Sequence, residues 1–355
     1  MREEGRKGYG IVGPVVSTGT EYPGSSIGLT FADQELEDSV VAILRDVESL
    51  LVDAVESANP LVTEAAQHLV NAGGKRFRPL LVALGAHFGD PRAENVVRAA
   101  SVVELTHLAT LYHDDVMDEA TVRRGAPSAN SRWGNAIAIL IGDYLFARAA
   151  DVATELGIEA VRIQARTFSR LVHGQIAETS GPLDGEDAIS HYLRVISQKT
   201  GSLISTSARF GGMFGGASPE QVEALAVYGE TFGTAFQLSD DLLDIASDSE
   251  QSGKTPGTDL REGVPTLPVL YALAADDNDA ASVRLREILS AGPVTDDQVH
   301  AEALGLLRES AALKRARETV RGYADRARSA LHPLPPVPAR LALESLCEFI
   351  ADRTS

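Results

Sequence analysis

The sequence has one cysteine, Cys347, in 355 residues. A lone thiol cannot build an intrachain disulfide framework, which suits a reducing compartment, so a cytoplasmic location is expected. Cys347 itself is expected to be a small buried apolar residue rather than a reactive thiol. Positive charge is also scarce. Lys and Arg number 32 against 50 Asp and Glu, for a net charge of −18. A nucleic-acid backbone calls for a basic surface, so nucleic acid is not an expected partner. Most of the acid excess reads as solvated surface, and a few gathered cations would still suffice for a small anion. Long apolar runs are missing too. The densest, Ala136–Ile141, is far shorter than the roughly 20 residues of a spanning helix, so no transmembrane segment is expected. The opening Met1-Arg2-Glu3-Glu4 and the interruption of Ile11–Val16 by Gly13 and Pro14 do not resemble a secretory signal. Convincing alternating strands are absent.

What is present is helical periodicity, with an ordinary apolar content of 44%. Residues 1–30 carry many Gly, Ser and Thr without a period and are expected to be a flexible tail. From Leu36 the pattern changes. Leu36, Val40, Ile43, Leu44, Val47, Leu50, Leu51 and Val55 recur at three- and four-residue steps, and Asn59-Pro60 is the expected stop. The same period runs through 93–116, 135–156, 158–179, 187–210, 219–246 and 311–331. Breakers such as Gly73-Gly74, Gly89-Asp90-Pro91, Gly125-Ala126-Pro127, Gly181-Pro182 and Ser218-Pro219 separate these segments. Pro333, Pro335, Pro336 and Pro338 form a stiff connector before a short last helix. The pattern predicts an all-α fold, with residues 31–355 as a single domain.

Two segments share one motif. Asp114-Asp115-Val116-Met117-Asp118 and Asp240-Asp241-Leu242-Leu243-Asp244 both read Asp-Asp-x-x-Asp near the end of an apolar helix. Residues four apart lie one above the other, so Asp114 sits over Asp118 and Asp240 over Asp244. Stacked carboxylates beside buried positions, at the negative end of a helix dipole, call for a cation. A solvated helix end explains one such motif; two with identical spacing point to metal. Magnesium prefers oxygen and is commonly held by one or two carboxylates together with substrate phosphates. Asp114, Asp118, Asp240 and Asp244 are therefore the expected metal ligands.

Basic groups stand where a phosphate model needs them. Gly73-Gly74-Lys75-Arg76-Phe77-Arg78-Pro79 turns into a helix N-terminus, where free N–H groups and the dipole favour phosphate. Arg123-Arg124 follows the first acidic motif, and Arg suits bidentate phosphate contact. Lys254 follows the second motif. His107 lies two helical turns before Asp114 on nearly the same face. His113 abuts the motif and reads as structural.

In order and spacing, these motifs resemble the trans-isoprenyl diphosphate synthases, or polyprenyl synthetases, from about residue 36 to the C-terminus. The set is Gly73-Gly74-Lys75-Arg76-x-Arg78-Pro79, His113-Asp114-Asp115-x-x-Asp118, Arg123-Arg124-Gly125, Lys199-Thr200, Phe236-Gln237-x-x-Asp240-Asp241-x-x-Asp244 and Gly253-Lys254. The resemblance implies an antiparallel helical bundle around a deep central cavity, usually a homodimer, with Mg2+ as cofactor. It implies that Asp114, Asp118 and Asp240 hold magnesium with Asp115, Asp241 and Asp244 in support. Lys75, Arg78, His107 and Arg124 would bind isopentenyl diphosphate. Arg123, Lys199, Thr200, Gln237 and Lys254 would bind an allylic diphosphate, with Asp114, Asp118, Asp240, Lys199 and Lys254 closest to the chemistry. One departure is Val264, where the family often has Lys.

The expected reaction is ionisation of the allylic diphosphate, attack by the double bond of isopentenyl diphosphate, and proton loss. No side-chain nucleophile is needed. Ala109 and Thr110, one turn upstream of the first motif, would line the entrance of an apolar tunnel, with Phe168 as a candidate floor. Bulky aromatics at the entrance give short products in the family; two small residues predict a long chain. Release of so apolar a product would involve peripheral membrane contact. A short-chain farnesyl or geranylgeranyl synthase, a class I terpene cyclase and an inactive prenyl-lipid-binding partner subunit are the alternatives. A cyclase needs no second diphosphate site around Lys75 and Arg78, and inactive partners commonly lose an acidic motif.

Overall fold

Asp33 starts the first helix. Its Oδ1 accepts from the Leu36 N–H at 2.7 Å, and the stripe Leu36, Val40, Ile43, Leu44, Val47 and Leu51 is buried as the periodicity predicts. The computed structural model describes residues 31–246 and 256–353. In chain order the helices are α1 (Gln34–Ala54), α2 (Pro60–Asn71), α3 (Phe77–Ala86), α4 (Asn95–Met117), α5 (Ala129–Trp133), α6 (Asn135–Glu155), α7 (Ile158–Ser180) and α8 (Ala188–Ile196). There follow α9 (Ser202–Gly215), α10 (Pro219–Ala246), α11 (Thr258–Glu262), α12 (Leu267–Leu273), α13 (Ala280–Ser290), α14 (Asp297–Glu309), α15 (Ala311–Ala330) and α16 (Pro338–Arg353). The architecture is an all-α antiparallel bundle.

Three local expectations need correction. Asn59-Pro60 does not stop α1, which already ends at Ala54; it starts α2, with the Asn59 side chain accepting from the Leu61 N–H at 3.0 Å and Pro60 in the first turn. Capping and stopping use the same residue types, so the pair was legible only as punctuation. Segment 187–210 is not one regular helix. Between α8 and α9 the chain widens into a π turn, Ser197–Gly201, a feature that packing rather than hydrophobic period dictates. Finally, the loop after the first acidic motif is a small antiparallel hairpin, β1 (Val122–Arg123) with β2 (Ala126–Pro127). Arg124 and Gly125 at its tip both have positive φ, 54° and 77°, the pattern of a tight two-residue hairpin turn.

Helices α3, α4, α9 and α10 form the centre. Every residue from Pro79 to Ala86 of α3 is buried, as are Ser202–Ala208 of α9, so these helices have no solvent face. α9 packs against α3, α4 and α10. Glycines permit the closeness. A methyl group on Gly211 would lie 2.3 Å from the Val82 carbonyl oxygen, and one on Gly229 would lie 2.7 Å from the Ser205 α-carbon. One cluster of buried apolar side chains extends from Leu36 to Ile350. Cys347 belongs to it, and burial pushes its thiol pKa up to about 12, so it is inert, as expected of a buried thiol. Among the described residues no helix is long and apolar enough to cross a membrane.

The α3–α9 contact yields a test. Gly211→Ala places a methyl against backbone that cannot rotate away, and overpacking costs about 1–3 kcal/mol. Urea unfolding should show that loss, whereas Gly305→Ala, whose added methyl meets nothing within 4 Å, should not destabilise.

Candidate active site

A cavity of about 340 Å³ opens among α3, α4, the π turn and α10. Its walls include Lys75, Arg78, His107 and Arg124, the four residues expected to take isopentenyl diphosphate, together with Thr200 and Gln237 from the expected allylic set. The loop Gly73–Arg76 reaches this place through left-handed backbone, with φ of 77° at Gly73 and 45° at Arg76. Gly74 is pressed on the Arg124 guanidinium, where a Cβ would lie 2.7 Å from Cζ.

Arg76, inside the basic motif, spends its guanidinium on the protein itself. Its Nη1 donates to Glu104 at 2.9 Å and its Nη2 to the Val70 carbonyl at 2.8 Å, and it also pairs with Glu48. It holds the loop rather than a phosphate. Arg124 donates through Nη1 to the carbonyls of Gly73 and Leu69, with Nη2 3.9 Å from Glu104. Glu104, only 1% exposed, is thus the counter-ion of the pocket. It escaped the sequence reading, although a charged residue at a core position of α4, three before His107, was the available signal.

The pocket is electrostatically incomplete. Burial pushes the Arg78 guanidinium down to about 10, Arg124 adds to the effect, and Glu104 and Asp114 oppose it. Arg78 Nε is buried without a hydrogen-bond partner. Burial, and then the nearby Arg78, Arg124, Arg76 and Arg123, hold His107 well below its ordinary value, so it is neutral and able to donate one ring N–H. Crowded, desolvated guanidiniums facing one carboxylate are suited to a multiply charged anion.

The first acidic motif ends α4. The Asp118 N–H donates to the Asp114 carbonyl at 2.8 Å, so the two do sit one turn apart, with Asp118 exposed. Burial raises the Asp114 carboxyl, Lys199 opposes this and Asp118 reinforces it. Asp115 is buried. Its Oδ1 accepts from Arg123 Nε at 2.6 Å, and its Oδ2 has no partner. Arg123, expected on the allylic phosphate, is therefore tied to the motif itself.

The second motif occupies the last two turns of α10. Asp240 Oδ1 accepts from Arg353 Nη2 at 2.8 Å. Asp241 accepts from Gln237 Nε2 at 2.9 Å and from the Tyr192 hydroxyl, and burial raises its carboxyl to about 6. Asp244, expected to bind metal, accepts from the backbone N–H groups of Thr258 and Asp259 at 3.2 and 3.1 Å, which anchors the start of α11. Val264 is exposed beyond that helix. Lys254 lies outside the described residues. The π turn stands between the motifs. Lys199 acts on Asp114 and pairs with Glu178 at 2.5 Å, while the Thr200 hydroxyl donates to Gln237 Oε1 at 3.2 Å and so joins the chain to Asp241. Tyr192, Arg353 and Glu178 belong to no motif and were not foreseeable from spacing.

Among the described residues no three His, Cys, Asp or Glu converge as a closed metal cage. The donor set still fits a divalent ion. It offers hard carboxylate oxygens, an orphaned buried Asp115 Oδ2 and an Asp114 raised by burial. Such a set takes an ion whose remaining ligands are waters and phosphate oxygens.

The fold and these two adjoining charged sites define a helical prenyl-diphosphate-type site, and comparison gives the family. The sequence profile described as Polyprenyl synthetase matches residues 59–307, and the chain belongs to that family. It is 51% identical to nonaprenyl diphosphate synthase of Mycobacterium tuberculosis over 92% of this chain and 97% of that protein. The fold superposes with a TM-score of 0.84 on geranylgeranyl pyrophosphate synthase of Corynebacterium glutamicum complexed with calcium and isoprenyl diphosphate. That structure is 44% identical and covers 92% of this chain and 100% of its own. Decaprenyl diphosphate synthase of Rhodobacter capsulatus gives 0.81 at 34% identity, over 91% and 99%.

His107 makes a pH test. Unfolded histidine takes a proton near pH 6.5, while the folded side chain resists it. Below about pH 6.5 the unfolded state then binds more protons, so stability falls as pH drops through that window, by at most about 1.4 kcal/mol per pH unit. His107→Gln removes this one slope. Urea midpoints of the substrate-free protein between about pH 5 and pH 7 should fall less steeply for the variant.

Proposed function

We propose that the chain is a magnesium-dependent trans-prenyltransferase. It condenses isopentenyl diphosphate with an allylic diphosphate and makes a long-chain all-trans polyprenyl diphosphate. The observation that carries this reading is the adjacency of two phosphate-competent sites. One is the Lys75, Arg78, His107 and Arg124 pocket with its unpartnered Arg78 Nε; the other is the carboxylate ground around Asp114, reached by Lys199. A simple lipid binder or a cyclase has no use for both.

In the proposed reaction the pocket holds isopentenyl diphosphate by its charged head, with Arg78 and Arg124 as bidentate donors. Lys199 and Thr200 from the π turn and Gln237 from α10 hold the allylic diphosphate, and Asp114, Asp118 and Asp240, with Asp115 in support, would hold the magnesium. Bound magnesium would neutralise the negative charge that grows on the departing diphosphate. Lys199 adds a cation at the same place, which strengthens as the allylic carbon–oxygen bond breaks. The double bond of the pocket-bound substrate then attacks, held close by its own head. The proton lost afterwards goes to the released diphosphate.

Length selection follows from the helix of the first motif. Ala109 is fully buried and small, and Thr110 beside it folds its hydroxyl onto the His107 carbonyl at 2.7 Å. One turn below Ala109, the His113 ring touches Phe146, which packs on Phe168 in a tilted pair, 4.1 Å between centroids. This aromatic pair between α6 and α7 is the candidate floor. The 51% identity to a nonaprenyl synthase supports a long product over the geranylgeranyl alternative. Residues 31–355 are read as one catalytic unit, acting in the cytoplasm. Leu140 on α6 and Ile176 on α7, 61% and 59% exposed, support a homodimer contact, and product release is assigned to peripheral contact with a membrane.

Incubation with Mg2+, farnesyl diphosphate and labelled isopentenyl diphosphate tests the reading. Label should appear in a longer diphosphate. A hydrocarbon formed without isopentenyl diphosphate points to a cyclase, and no turnover points to a binder. Asp114→Asn should lower kcat by about 10²-fold or more. Ala109→Phe should leave the first condensation intact and shorten the extracted product on chromatography; an unchanged length removes the tunnel assignment.

A further inference from the structure

The last described residue of the chain is held inside the site. Arg353 ends α16, yet its side chain is only 17% exposed. Its Nη2 donates to Asp240 Oδ1 at 2.8 Å and to the Phe236 carbonyl at 3.2 Å, and its Nε donates to Ser239 Oγ at 2.6 Å. The guanidinium also lies 4.8 Å over the Phe236 ring and 5.5 Å from the Phe349 ring. Phe236 is itself a wall of the basic pocket and stacks on Phe77 at 5.7 Å, with 15° between the planes. One side chain therefore touches the second acidic motif with its edge and the pocket wall with its face.

We infer that Arg353 is a positioning residue that orients the Asp240 carboxylate for a divalent ion and braces Phe236 at the neighbouring pocket. The inference rests on the proposed function. The anchoring explains why Arg353 orients rather than competes. Its Ser239 and Phe236 bonds do not involve the carboxylate, so its place is fixed independently of Asp240. A planar donor fixed beside one carboxylate oxygen limits the turning of Asp240 about its side-chain bonds. Arg353 is also out of sequence range of every motif, so the C-terminal helix is tied to the chemistry through this contact. α16 also packs against α3 and α10, the helices that carry Arg78 and the second acidic motif.

The test uses the full chain and three variants. Arg353→Met keeps the apolar stem over the two rings and removes the charge; Arg353→Lys keeps the charge and loses the fork; Arg353→Ala removes both. Mg2+ is titrated calorimetrically in the presence of inorganic diphosphate, and the Mg2+ dependence of turnover and the KM for isopentenyl diphosphate are measured alongside. Thermal melting without metal monitors the fold. The expected result is about tenfold weaker Mg2+ binding for Arg353→Met, the scale of losing a hydrogen bond to a charged group. Arg353→Lys should be intermediate, and Arg353→Ala should also raise the KM for isopentenyl diphosphate more than it lowers kcat. Wild-type affinity in Arg353→Met overturns the proposal, even where the melting temperature falls, because a purely structural role predicts that pattern. Tighter Mg2+ binding also overturns it and makes Arg353 a competitor of the ion. If the wild type itself takes up no Mg2+ with diphosphate, the proposed function fails and the inference with it.

Discussion

Desolvated positive charge is the constraint on which the molecule turns. Arg76, Arg78 and Arg124 are gathered around one buried carboxylate, Glu104, at the centre of an all-helical core. Buried like charges are costly unless paired. The chain meets part of that cost itself. Glu48 and Glu104 take Arg76 wholly out of play, and carbonyls of the Gly73 loop take one edge of Arg124. What is left over, chiefly the Arg78 edge, is the chain's affinity for an anion. The strain of a left-handed Arg76 and the absence of a Cβ at Gly74 are the backbone conditions for that arrangement.

The second site obeys the opposite sign with the same logic. Carboxylates are driven toward buried positions and each finds a different answer. Asp115 takes Arg123, Asp241 takes Tyr192 and Gln237, Asp244 takes two backbone amides, and Asp240 takes Arg353. The six aspartates are equivalent in sequence spacing but not in surroundings. Asp114 and Asp118 are the pair with fewest competing partners, in keeping with their proposed share of the metal. Identical motifs thus do different work because the elements packed against them differ.

This difference marks what sequence could and could not tell. Periodicity located α4, α6, α7, α10 and α15 to within a residue or two, because burial of one stripe is a local property, but it overran the end of α1 and ran α8 and α9 together. The family resemblance grouped Lys75, Arg78, His107 and Arg124, and all four line one cavity. Asn59-Pro60 was misplaced because a cap and a stop look alike. The π turn at Ser197–Gly201 left no periodic trace, since it answers to the neighbouring α10 backbone: a methyl on Gly201 would lie 3.1 Å from the Glu230 carbonyl oxygen. Glu104, Tyr192 and Arg353 were invisible for a related reason. Each acts through a partner distant in sequence, and no spacing rule carries that information.

The hairpin after the first motif has a consequence of its own. Arg123 closes β1 and Arg124 opens the turn, and their side chains reach different partners, one Asp115 and the other the Gly73 loop. A two-residue turn leaves little slack, so the hairpin ties the end of α4 to the Gly73 loop at short range. Under the proposed chemistry each new product carries the head of its second substrate and must hop from the one site to the other before another round. The hairpin is the covalent link between the two ends of that hop, from the acidic motif at Asp115 to the basic loop at Gly73.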